Sequence, residues 1–461
     1  MFKPKPADRG IPPLKAHQEQ SLALLRTQPR VFDTSDPGTM KTRVALEAWA
    51  RRGSGALLVL APKSLLAPAW GGDLDKFFPG VRYSIATAGN RTEAFATKAD
   101  VYITNIDAVV WLAKQPKAFF KRFDTSVIDE ITVYKHRTSQ RSKAAAKIRH
   151  HFKFREGLTG TPNSLSITDI WHQVFLLDDG ERLGPKFFQF RGAVCQPEQV
   201  GPSANHVRWV DKPYAEEAVA QMIADITIRH EFAEVMKDVP ENYSQHITYE
   251  LKPKHMKAYK ELAKNAVLRL ENETVSAVNA AVLRTKLLQV ASGAVYHTEG
   301  EYTLLDTGRY ELILDLVEAR KHSVVFFNWA HQKEELLKEA AKRGVKHAFI
   351  DGTVSDTRRN EIVEAYQAGF FQTLFLHPQT GAHGLTLTRG TATIWPSPVD
   401  RADFLTQGKH RVYRGGQTQR TETLLVEAAG TLEGRVYERL GEKTARMVNL
   451  LEILRDNTNG P

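Results

Sequence analysis

Short runs of apolar and β-branched residues recur along the chain, separated by longer segments whose apolar residues fall three and four apart. Ala56 to Ala61, Val101 to Thr104, Thr125 to Asp129, Val324 to Asn328 and Thr373 to His377 are the runs, and each predicts a buried strand. Thr42 to Arg52, Gln332 to Arg343 and Arg358 to Ala368 carry the helical spacing. Strands alternating with helices imply parallel sheets covered on both faces, because a parallel neighbour is reached only by a crossover that lies on the sheet. Two such sets occur, one before about Asp238 and one after about His322, with a Lys-, Ala- and Leu-rich helical segment from Lys254 to Leu288 between them. The pattern thus predicts a two-lobe α/β chain. Phe187 to Tyr214, interrupted by Pro197, Pro202 and Pro213, reads as an irregular insertion. An amphipathic helix around Thr431 to Arg455 is expected to pack back on the second lobe.

Composition narrows the class. The 461 residues are 42% hydrophobic, enough for buried cores in two or three domains. Cys195 is the single cysteine, so neither an internal disulfide nor a zinc ligand pair is available, which fits a reducing compartment. The most apolar stretch near the front, GALLVLAPKSLLAP, is broken by prolines and Lys63 and falls short of the roughly 20 residues that a membrane span needs. The opening MFKPKPADRG has no hydrophobic segment of the kind a secretory signal carries. A net charge of +10 permits contact with nucleic acid or an acidic surface without requiring either.

Candidate chemistry lies in a few short motifs. FDTSDPGTMKTRVALEAWA passes from a turn into a helix that begins at Lys41 and Thr42. A helix amino terminus offers unpaired N–H groups, lysine adds a point charge and a threonine hydroxyl can ligate magnesium, so a phosphate fits there. The general phosphate-loop pattern is broken at both glycines, however, since Ser35 and Met40 occupy them. The run TSVI delivers Asp129 and Glu130 side by side at its carboxyl end, where open α/β sheets bind ligands. One such carboxylate can hold a magnesium shell while the other polarises an attacking water; a solvated acidic turn has the same sequence. LTGTP at Leu158 to Pro162, NWA at Asn328 to Ala330 and QGKHRVYRGGQ from Gln407 to Gln417 follow. Arg411 and Arg414 share a face if that last segment is helical, so both could point at one anion; alone they would also suit a solvated basic face.

The order and spacing of these pieces resemble the helicase-like ATPases of superfamily two, within it the switch/sucrose-nonfermenting group of DNA translocases. LKAHQ at Leu14 to Gln18 is similar to that group's opening L-x-x-Y-Q, and SDPGTMKT to its D-E-M-G-L-G-K-T loop. LLVLAPKSLLAPAW with the following FFP is similar to its first DNA-contacting strand, VIDEIT to its D-E-x-H box and LTGTP to its coupling motif. VVFFNWAHQ, IDGTVSDTRRNEIVEAYQ, TGAHGLTLT, QGKHRVYRGGQ and VEAAGTLEGRVYERL then follow the group's order through nearly the whole chain.

The resemblance implies two tandem RecA-like lobes with ATP in the cleft between them. The first would cover residues 11 to 238 after a tail at 1 to 10, and the second residues 239 to 461 with a helical lead-in at 254 to 295. It further implies that Gln18 reads the adenine, that Gly38, Thr39 and Lys41 hold the phosphates, and that Thr42 and Asp129 hold Mg2+. Glu130 would be the hydrolytic base, and Arg411 and Arg414 arginine fingers from the second lobe. Lys63, Thr104 and Asn105 in the first lobe, with Thr380, His383 and Thr386 in the second, would touch phosphates of nucleic acid. The implied activity is an ATP-dependent translocase or helicase acting as a monomeric motor on duplex or branched DNA in replication, recombination or repair, with proteins of those processes as partners, in a bacterial or virus-infected cytoplasm. An RNA helicase of the same superfamily and a nucleotide- and DNA-binding scaffold without hydrolysis are the alternatives. Three positions depart from the pattern: Met40 replaces a loop glycine, Thr132 the box histidine and His410 a glycine of the final motif.

Overall fold

In a computed structural model, the residues described are 11–53, 55–163, 166–199, 207–272, 277–297, 301–381, 385–442 and 452; of 266–272 and 277–280 only the backbone is described. The chain forms two compact units, one running to Met236 and one from Lys237 to Glu442.

The strands of the first unit are β1 (Arg30–Asp33), β2 (Ala56–Ala61), β3 (Tyr83–Ala86), β4 (Val101–Asn105), β5 (Phe123–Asp129), β6 (Phe154–Leu158), β7 (Cys195–Gln199), β8 (Val207–Asp211) and β9 (Thr227–Ile228). Seven of them form one sheet in the order β3-β4-β2-β5-β6-β1-β9, with every pair parallel. The continuous apolar run of β2 is explained by burial on both faces. Leu58 and Leu60 enter a core with Phe32, Tyr102 and Val174, while Leu57, Val59 and Ala61 enter another with Trp70 and Phe77.

The second unit has β10 (Asn242–Tyr249), β11 (Ala294–Tyr296), β12 (Tyr302–Leu304), β13 (Ser323–Phe326), β14 (His347–Ile350), β15 (Thr373–Leu376), β16 (Ala392–Trp395) and β17 (Thr421–Ala428). Six form a parallel sheet in the order β10-β17-β16-β13-β15-β14. Alternation recurs here, Val324 and Phe326 facing one core and Val325 and Phe327 the other. The Lys-, Ala- and Leu-rich segment is two helices, Pro253–Asn272 and Ala277–Ala291.

The described residues of the stretch expected to be irregular form regular elements. Phe187–Val194 is a helix, and β7 pairs antiparallel with β8 as a hairpin. Pro197 and Pro213 misled the reading: Pro197 sits in a two-stranded ribbon, where a missing N–H is tolerated, and Pro213 follows the ribbon's end. Of the expected last helix, residues 432–442 are helical and set Val436, Tyr437 and Leu440 into the second unit's core; 443–455, apart from residue 452, lie outside the described residues.

A buried ion pair ties this helix to the sheet. The guanidinium of Arg309 donates to both carboxylate oxygens of Glu433 at 2.9 and 2.8 Å and to the carbonyls of Pro396 and Ala291 at 2.6 and 2.8 Å. Glu433 also accepts from the Ala428 N–H at 2.7 Å, and neither charged side chain is more than 2% exposed. Removing one member strands the other's charge in a dry interior. Glu433→Ala is therefore expected to destabilise the second unit by about 3–5 kcal/mol. Hydrogen exchange should show it as early loss of protection in β16 and β17 with β2 and β5 unaffected; uniform protection in both units would refute the assignment.

Candidate nucleotide site

Because all seven strands of the first sheet run parallel, the residues leaving β1, β5, β6 and β9 emerge at one edge, and the motifs lie there. After β1 the chain turns through Thr34 to Met40 into the helix Lys41–Arg52. Gly38 has φ 88° and Met40 has φ 65° with ψ 37°, so the loop does place a side-chain-bearing residue in the left-handed region. That conformation costs methionine on the order of 1–2 kcal/mol relative to the ordinary helical region. Part of the cost is offset because the Met40 side chain packs against the core that holds Trp70 and Phe77.

Lys41 reaches back over its own loop and donates to the carbonyls of Ser35 and Asp36 at 2.5 and 3.0 Å. Thr39 is buried, with its hydroxyl on the Asp36 carbonyl at 2.9 Å, while Thr42 is half-buried at the helix start. Residues that sequence reasoning did not single out belt the loop. Arg229, leaving β9, donates to the Asp36 carboxylate at 2.7 Å and the Thr34 carbonyl at 2.8 Å, and the Phe232 N–H donates to the other Asp36 oxygen at 2.9 Å. The His230 N–H donates to the Ser35 hydroxyl at 3.0 Å, and the His230 ring bonds Ser21 at 2.8 Å. The ring of His17 bonds the Thr39 carbonyl at 3.1 Å, and burial lowers the pKa of both imidazoles. The short run TIRH gave little local warning of this role, since its function comes from a strand paired to β1 almost 200 positions away.

Asp129 closes β5 and Glu130 follows at φ 56°, so two adjacent carboxylates are turned apart by one left-handed residue. Asp129 accepts from the Trp70 indole N–H at 3.0 Å. Burial pushes its carboxyl pKa up against the opposing pull of Trp70 and Lys41. A desolvated carboxylate near a lysine is charge-compensated best by a further cation, which is the donor chemistry that magnesium requires. Gln18 is fully buried; its Oε1 accepts from the Lys15 N–H at 2.9 Å and its Nε2 has no partner among the described residues. A stranded buried donor beside the loop-contacting His17 suits a ligand nitrogen. The residues present therefore fit a nucleotide with its metal.

Thr132, which stands where histidine was expected, shares a 2.7 Å hydrogen bond with Thr159 of LTGTP and donates to the Thr161 carbonyl at 3.2 Å. Thr159 in turn reaches the Glu130 carboxylate at 3.5 Å. Gly160 abuts the phosphate loop so closely that a Cβ there would lie 2.8 Å from Pro37 Cδ. LTGTP thus touches both Glu130, through Thr159, and the phosphate loop, through Gly160, while Thr132 ties the segment after Glu130 to LTGTP.

In the second unit the helix Ala402–Val412 ends before Arg414, so the two arginines do not share one helical face. Both guanidinium groups nevertheless converge, donating to the Leu385 carbonyl at 3.2 and 3.1 Å. His410 is buried with its ring on the Tyr413 carbonyl at 3.1 Å, and a Cβ at Gly408 would meet Trp395 at 2.6 Å. Among the expected nucleic-acid contacts, Lys63 and Thr386 are exposed and Thr380 is half-buried. Thr104 is not on the surface: it is fully buried and its hydroxyl donates to the Ala86 carbonyl at 2.8 Å. Asn105 accepts from Arg91 at 3.1 Å, and His383 lies outside the described residues.

A family model described as the SNF2-related domain matches residues 16–292, more than half of the chain. The chain belongs to the SNF2-related domain family. That is a family of ATP hydrolases of the helicase-like kind, built on paired parallel sheets such as those seen here. The sequence is 28% identical over 438 residues to putative protein p41 of Acyrthosiphon pisum secondary endosymbiont phage 1, covering 90% of this chain and 92% of that one. It is 23% identical over 413 residues to the putative ATP-dependent helicase/translocase YwqA of Bacillus subtilis, but covers 42% of that protein. A similar 23% identity over 423 residues relates it to the SWI/SNF-related matrix-associated actin-dependent regulator of chromatin subfamily A-like protein 1 of Xenopus tropicalis, of which it again covers 42%. Apart from the phage protein, the chain spans well under half the length of these relatives. A solved Sulfolobus solfataricus SWI2/SNF2 ATPase core in complex with double-stranded DNA aligns over 100% of this chain at 19% identity with a TM-score of 0.44, too low to add to the assignment. No helix among the described residues is long and apolar enough to cross a membrane.

Within this SNF2-related chain, the Met40 geometry separates strain from packing. Met40→Ala keeps the left-handed φ and loses the side-chain contacts, and is expected to cost about 1 kcal/mol or more. Met40→Gly relieves the φ strain while losing the same contacts, so stability should stay within about 1 kcal/mol of the parent. Thermal unfolding of the two variants checks this; an equal loss in both would show that strain at Met40 is negligible.

Proposed function

We propose that this chain is an ATP-driven translocase or helicase on duplex or branched DNA. The observation that supports the reading best is that LTGTP touches both the phosphate loop and Glu130, because this gives hydrolysis a mechanical outlet in the first unit. Lys41 neutralises the outer phosphates in exchange for the loop carbonyls that it now binds, and Gln18 donates its unpartnered Nε2 to the adenine. Thr42 and Asp129 hold magnesium, which when bound spreads the developing phosphate charge. Glu130 takes the proton of the attacking water, and Arg411 and Arg414 supply cationic charge from the second unit. Duplex DNA is the preferred track because the motif wording, from LKAHQ to GTLEGRVYERL, follows the DNA-translocating group, and the processes it would serve are replication, recombination or repair.

ATP turnover with single-stranded, duplex and forked DNA and with RNA tests the reading. Duplex or forked DNA should stimulate strongly, and Lys41→Ala, Glu130→Gln and Arg414→Ala should each reduce turnover by about a thousandfold or more. Preferential stimulation by RNA would favour an RNA helicase, and absent turnover with every nucleic acid a nucleotide-binding scaffold; turnover indifferent to nucleic acid ends the motor proposal.

The bridging hydroxyl yields a separate expectation. Thr132→Val keeps the shape of the side chain while deleting its bonds to Thr159 and Thr161, so the ratio of DNA-stimulated to unstimulated turnover should fall about tenfold. An unchanged ratio would show that coupling does not pass through Thr132.

A further inference from the structure

Four of the eight large hydrophobic residues exposed among the described positions lie in a segment that no motif accounts for: Phe188 at 62%, Val207 at 39%, Trp209 at 36% and Tyr214 at 58%. Apolar side chains so concentrated on a surface mark a binding face. The segment is also well built. Phe187 is anchored edge-on to the buried Trp171, which fixes the helix Phe187–Val194 on the first unit, and the hairpin β7–β8 is continuous with that helix. Register puts Val207 and Trp209 on the same side of β8, since they are two apart.

Arginines interleave the rings. The Arg191 guanidinium lies 4.0 Å from the centre of the Trp209 ring and 5.1 Å from that of Phe188, and Arg137 lies 4.8 Å from Phe187 and from Phe188. Lys212 is held against the same helix through the carbonyls of Gly192 and Ala193 at 3.1 and 2.8 Å. Among the described residues of the hairpin, the one exposed carboxylate, Glu198, is taken by Arg208 at 2.6 Å. A face with exposed aromatic rings, one side of Trp209 being covered by Arg191, and a cationic excess is complementary to a ligand that is at once flat, apolar and anionic. Unpaired nucleotides have that combination; a duplex hides its base faces, and an apolar protein partner gives the arginines nothing to neutralise.

We propose that the Phe188–Trp209 face binds unpaired bases of single-stranded nucleic acid by stacking, giving the chain a second, strand-state-selective contact apart from the backbone track. The proposal rests on the reading of the chain as a nucleic-acid motor, which it deepens by naming unpaired strand as a ligand. Affinities of the full chain for labelled oligo-dT and for a duplex of equal length, in one buffer of fixed ionic strength, test it with Phe188→Ala, Trp209→Ala and Trp209→Phe. Both alanine variants should lose about tenfold in single-strand affinity with little change for duplex, while Trp209→Phe retains most of it. Both rings are exposed, so these variants should fold; thermal unfolding checks that. Three results overturn the proposal: no measurable single-strand binding by the parent, an equal fall for single strand and duplex, or sedimentation showing that the parent self-associates and Trp209→Ala does not, which would make the face a contact between copies. Failure of duplex DNA to stimulate turnover would remove the motor reading and leave a single-strand-selective loss intact, so the two failures are separable.

Discussion

Everything at the candidate nucleotide site depends on the strands of the first sheet running the same way. Parallel strands deliver their carboxyl ends to one edge, so Asp33, Asp129, Leu158 and Ile228 finish side by side although they are distant in the chain. The segments that follow them then meet: the phosphate loop, Glu130, LTGTP and Arg229 with His230. An antiparallel strand at β6 or β9 would send its motif to the opposite edge. The site is therefore a property of topology first and of side chains second.

The phosphate loop shows how the fold supports a locally unfavourable sequence. A methionine in the left-handed region is a local conflict. The surroundings over-determine the loop through Arg229 on Asp36, His230 on Ser35, His17 on Thr39 and the close packing of Gly160 against Pro37. Several hydrogen bonds worth about 1 kcal/mol each are enough to hold one strained residue. The departure at Met40 thus reads as a loop stabilised from outside instead of by its own glycines.

Thr132 illustrates a substitution whose meaning needed neighbours. Its sequence position marks only the absence of the usual histidine. In the structure its hydroxyl bonds to Thr159 and Thr161, so a smaller side chain makes the bridge to the coupling motif. The second unit has a corresponding case, where Glu433 of the closing GTLEG segment proves to be half of a buried ion pair that anchors the last described helix.

Periodicity alone was enough to reveal the two parallel sheets, because strands buried on both faces must be continuously apolar and crossover helices must be amphipathic; Ala56–Ala61 and Lys41–Arg52 follow directly from that constraint. The chemical motifs were legible for a similar reason, since phosphate and metal contacts restrict residue type within a few neighbouring positions. What the sequence left open was set by contacts between distant segments. These include the belt of Arg229, His230 and His17 around the loop, the withdrawal of Thr104 into the sheet, the shared acceptor of Arg411 and Arg414, and the ordering of the Phe187–Tyr214 region into helix and hairpin. Such partners lie up to about 200 residues apart in the chain, so no local pattern of polar and apolar residues encodes them, and only the folded sheet brings them within hydrogen-bonding distance.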